Sequence, residues 1–61
     1  MTKIEARGIA TAQLAMDRGM EGMAAWILSG VYRGSMSAET QREVLEIARA
    51  LGVDQHEDFI V

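Results

Sequence analysis

Residues 8–32, GIATAQLAMDRGMEGMAAWILSGVY, decide the fold of this chain. Gly8, Ala12, Ala15, Gly19 and Gly22 recur at intervals of three or four, which places them on one helix face leading into Trp26. Ile9, Met16, Met20, Met23, Ile27 and Val31 form a neighbouring stripe at the same period. Together the two stripes make a helix that is apolar over more than half its circumference. The absence of proline and the scarcity of β-branched residues also favour helix over strand. The spacing predicts helix from about residue 3 to 33, in one or two pieces. Gly19 and Gly22, flanking Met20-Glu21, mark the place for a break.

Outward from this stretch the helix signals are local. Thr2 can cap a helix, and Glu5 three residues later completes a capping box. Gly34-Ser35-Met36-Ser37 reads as a loop, with Gly34 as a left-handed C-cap and Ser37 as the next N-cap. A last helix is expected over 38–51, stopped by Gly52. Its apolar stripe is Val44, Ile47, Ala48 and Leu51, with Leu45 alongside. Arg42, Glu43, Glu46 and Arg49 lie mostly opposite. The predicted fold is all-α: an antiparallel helical hairpin or a three-helix unit. It forms one domain over 1–53, followed by an acidic and then apolar tail over 54–61.

Size sets the next constraint. A chain of 61 residues buries only about 60% of its unfolded surface, so a monomeric core is thin. Without cysteine, disulfides and thiolate metal sites are excluded, and a single histidine argues against zinc. Self-association is the remaining common remedy, so a homo-oligomer is expected. One short C-terminal helix cannot cover both stripes of the first, which points the same way.

The net charge of −3 comes wholly from Asp54, Glu57 and Asp58. The body is neutral, which is not the basic footprint of a phosphate-binding surface. The longest uncharged stretch, Gly22 to Tyr32, is too short to span a bilayer. No apolar run with a cleavage site follows Lys3, so a soluble, cytoplasmic protein is expected.

Gly8, Ala12, Ala15 and Gly19, with Met16, Met20, Met23, Trp26 and Ile27, are the candidate interface residues. Small side chains let helix backbones approach closely. They suit either packing of the C-terminal helix within the chain or a seam between two copies. Methionines adapt to varied partners, although helical apolar periodicity more often marks a core. Trp26 is the candidate hot spot. Its competing role is to anchor a private core against Val44 and Ile47.

Leu14-Ala15, then Gly19, Met20 and Leu28, occupy the apolar and turn positions of a helix-turn-helix over Thr11 to Gly30. Ser37-Ala38-Glu39-Thr40 and the segment Ile47 to Val53 likewise resemble the helices that follow this motif in small phage-type repressors. The resemblance implies DNA binding. Arg18 departs from it where the motif has an apolar residue. The recognition helix, Gly22 to Ser29, offers no base-edge donor except the Trp26 indole. Arg33, Arg42 and Lys3 would be its phosphate contacts.

His56 lies among Asp54, Glu57 and Asp58 in a segment expected to be solvated. It has no nucleophile partner near in sequence. Ser29, Ser35 and Ser37 read as helix-end residues. Phe59 and Ile60 are expected to fold back over the open end of the hairpin, or else Phe59-Ile60-Val61 to add as a strand to another protein. The sequence thus predicts a non-enzymatic protein-interaction module without cofactor or metal. It would be a regulator, inhibitor or adaptor, of the kind found in phages and mobile elements, that binds itself and a second protein. A divergent helix-turn-helix regulator is the alternative.

Overall fold

The computed structural model describes residues 1–61. It contains three helices and no strand: α1 (Lys3–Asp17), α2 (Glu21–Gly34) and α3 (Ala38–Leu51). α1 begins in the capping box. The Thr2 hydroxyl accepts the Glu5 N–H at 3.1 Å, and the Glu5 carboxylate accepts the Thr2 N–H at 2.8 Å.

α1 stops at Gly19, whose φ of 75° is open to glycine at little cost. Gly19 N–H donates to the Met16 carbonyl and Met20 N–H to the Ala15 carbonyl, at 3.0 and 2.9 Å. This 5→2 and 6→1 pair is a Schellman cap. The same pair of bonds ends α3, from Gly52 to Arg49 and from Val53 to Ala48. Val53 is thereby turned inward and buried.

The break at residues 18–20 settles how the two apolar stripes are covered. α1 and α2 fold against each other as an antiparallel hairpin. A Cβ on Gly8 would lie 2.6 Å from Val31 Cγ2, so the hairpin closes tightly even far from its turn. Glu5 in the first turn of α1 reaches the Ser35 side chain just beyond α2. α3 packs mainly on α2 and buries Thr40, Val44 and Ala48.

Two local expectations need correction. Gly34 is not a left-handed cap, because positive φ occurs only at Gly19 and Gly52. α2 instead ends at Ser35 in extended conformation, and Gln41 of α3 donates its side-chain N–H to the Tyr32 carbonyl at 3.0 Å. Gly22 is not part of the break but lies in the first turn of α2. A Cβ there would meet the Asp58 carboxylate at 2.8 Å, so the glycine makes room for the C-terminal segment.

Nine buried apolar residues form the core, and five of them are alanines: Ala12, Ala15, Ala24, Ala25 and Ala48. The others are Ile9, Leu28, Val44 and Val53. No helix is long and apolar enough to cross a membrane.

Candidate functional site

The outer face of α2 carries what the core does not. Met23, Trp26, Gly30 and Arg33 are all exposed and follow at intervals of three, four and three, so they share one face. Trp26, the largest side chain in the chain, is 68% exposed. Met20 and Met23 are about half exposed beside it. Gly30 has open space where a side chain would project.

The C-terminal segment runs along the edge of this face, held by Ser29. The Ser29 side chain is buried in the interior of α2, and its hydroxyl accepts the Ile60 N–H at 2.8 Å. The same hydroxyl lies 2.8 Å from the Ala25 carbonyl and 3.1 Å from the Asp58 carbonyl, and can donate to either. Phe59 packs against the core at half burial, while Ile60 stays exposed. Between α2 and this segment lies an open groove of about 330 Å³. Trp26, Ile27, Ser29, Gly30 and Arg33 line it from the helix, and Asp58 and Ile60 from the segment. That volume is at the lower end for ligand sites.

Charge marks the two ends of the face. Arg33 sits in the last turn of α2 and has no ion-pair partner in the chain. The Asp58 carboxylate lies over Gly22 in the first turn, with its side chain 51% exposed. His56 Nδ1 accepts the Asp58 N–H at 3.0 Å and stands 3.7 Å from its carboxylate. No three His, Asp or Glu side chains form a cluster able to hold a metal ion.

The expected interface residues divide between two places. Ala12 and Ala15 are buried between α1 and α2, Gly8 faces Val31, and Met16 and Ile27 pack against the core. The small-residue stripe therefore meets α2 of its own chain, chiefly, rather than the C-terminal helix. Gly19, Met20, Met23 and Trp26 remain exposed. Trp26 does not anchor a private core: it stands exposed, while Val44 is buried and Ile47 half-buried against the core.

Two further readings change. Ser29 is a mid-helix fastener and not a helix-end residue, whereas Ser37 caps α3 by accepting the Thr40 N–H. The segment 54–61 is docked, with Asp54, His56 and Phe59 partly buried. Asp58 and Ile60 enter the site only through that docking, whereas Arg33 belongs to the outer face of α2 itself. The sequence traces of the docking are the apolar tail end, of which Phe59 does pack on the core, and the serine inside α2.

The helix-turn-helix resemblance is not matched in three dimensions. Gly8 and Val31 each lie about 16 Å along their helices from the turn at Gly19. Helices crossing at 90–120° would hold them more than about 20 Å apart. Here they are in contact. No known protein family, curated protein or solved structure matches the chain.

Proposed function

We propose that the chain is a non-enzymatic helical protein-interaction module of the cytoplasm, working through the outer face of α2 and the docked C-terminal segment. Trp26 carries the reading: the largest side chain stands 68% exposed beside an open apolar groove, while the core is filled with alanine. Burying a large apolar side chain gains roughly 1.5–3 kcal/mol, which this fold leaves unused. Tryptophan is also among the side chains most enriched at interface hot spots. A module of this kind assembles with copies of itself and regulates, inhibits or adapts a second protein, with Trp26 serving one or the other of these contacts.

Trp26→Ala tests the reading. The variant keeps helical circular dichroism and loses either its assembled mass or its protein partner. A folded variant that retains both would refute the proposal. DNA binding is the weaker alternative, because the body is neutral and the face is apolar. A sequence-preferring nanomolar shift of duplex DNA at physiological salt would reinstate it.

A further inference from the structure

We infer that the outer face of α2 pairs with the same face of a second copy, the two α2 helices running antiparallel about a two-fold axis near residue 28. This deepens the proposed function and rests on it. Two observations point to one register, and a third concerns the area available. The first is charge. Asp58 lies over Gly22 and Arg33 lies eleven residues on, roughly 16 Å along the helix, with no ion pair between them. The face is therefore acidic at one end, apolar in the middle and basic at the other. An antiparallel copy brings each Arg33 to the Asp58 of the other chain, twice, as an isologous interface requires.

The second is shape. Trp26 projects beside a groove floored by Gly30, where nothing fills the space of a Cβ. In an antiparallel pair centred near residue 28, Trp26 lies over Gly30 of the second copy. The same centre sets Arg33 against Met23, one residue from Gly22, where Asp58 sits. The two matches thus agree to within one residue, about 1.5 Å along the helix. The third is area. A standard interface takes about 800 Å² from each partner, about a fifth of the 4153 Å² that this chain exposes. Trp26, Met23 and Ile60, all exposed along this face and its groove, contribute to its apolar part.

The experiment is a charge exchange read by sedimentation equilibrium, with circular dichroism as the folding control. Wild type is expected at twice the 6.7 kDa chain mass. Arg33→Asp and Asp58→Arg each raise the dimer dissociation constant by about tenfold, since each sets two like-charged pairs across the axis. Mixing the two variants restores the dimer, because every pair between unlike chains is again opposite in sign. A pairing within one chain cannot be restored by mixing. Gly30→Leu serves as a second probe: it fills the seat of Trp26 and abolishes the dimer, while the exposed helix position keeps the fold.

A monomeric wild type at several hundred micromolar overturns the inference. So does a dimer indifferent to the charge variants, or singly weakened variants that mixing does not rescue. If Trp26→Ala still abolishes assembly or partner binding in such a case, the interaction reading stands and only this arrangement falls. If Trp26→Ala is also without effect, both fall.

Discussion

The two faces of α2 make opposite use of apolar residues. The inner face gives Ala24, Ala25 and Leu28 to a seam whose other side is Ile9, Ala12 and Ala15. The outer face holds Met23 and Trp26 in solvent. The difference teaches that burial in this chain is set by how closely backbones approach, not by side-chain size. Alanine-lined helices pack near one another and leave no room for an indole between them. The fold is closed by many small contacts, and the largest single increment of apolar area stays available outside.

The sharpest way to break this comparison is to truncate one large residue on each side. Leu28→Ala removes the largest fully buried side chain, and a cavity there costs about 2–5 kcal/mol. That is much of the stability of a domain this small, so the variant is expected to lose its cooperative melt. Trp26→Ala removes more atoms from the exposed face and is expected to change monomer stability by about 1 kcal/mol or less. Equal melting temperatures at a concentration where the chain is monomeric would show that the two faces are not distinct.

Enlargement is the reverse probe. Ala15→Leu forces a branched side chain into the seam and is expected to cost about 1–3 kcal/mol in strain. Glu43→Ala on the solvated side of α3 stays within about 0.5 kcal/mol. Thermal unfolding of the two variants would place Ala15 outside the seam if they melted alike.

Glycine gives a finer contrast, because the same substitution is expected to change sign. A Cβ on Gly8 would lie 2.6 Å from a Val31 methyl, and the β-branched valine has few rotamers with which to retreat. Gly8→Ala therefore destabilises, and Val31→Ala in the same chain recovers most of the loss, a coupling that a double-mutant cycle measures. Gly30→Ala meets nothing and gains roughly 0.5–1 kcal/mol of helix propensity. Two shifts of the same sign would undo the assignment of Gly8 to a contact and Gly30 to a groove.

These positions also show what the sequence could reveal. The capping box at Thr2 and Glu5, the Ser37 cap and the stop at Gly52 were legible because each is a bond between residues a few positions apart. The end of α2 was legible to within a residue but its cap was not: Gly34 is not left-handed, and Gln41 of α3 reaches back to the Tyr32 carbonyl instead. Gly22 reads as a helix breaker until the docked carboxylate of Asp58 is seen above it. The groove was the least legible feature. Trp26, Met20 and Met23 stood out by type and period. Asp58 and Ile60 join them only because a buried serine hydroxyl fastens the C-terminal segment.

The smallest expected effect lies at the far end of the hairpin from its turn, where α1 begins. The Glu5 carboxyl is held below its ordinary value, first by the Thr2 backbone N–H it accepts and then by the Ser35 side chain. A carboxyl with a lowered folded-state pKa binds a proton more readily in the unfolded chain. Its ionisation thus supports the fold fully above the ordinary value of 4.5, and the support fades as pH falls through the lower folded-state value. Glutamine can occupy the same capping-box position, so Glu5→Gln at pH 7 is expected to melt within about 4 °C of wild type. As the solution is acidified below pH 5, wild type should lose melting temperature faster than the variant. The contribution is modest, because the group is open to solvent. Unlike the changes at Leu28 and Ala15, it acts without altering packing. Melting curves that stay parallel from pH 7 to pH 3 would show that the carboxylate adds nothing to the cap beyond what a neutral amide supplies.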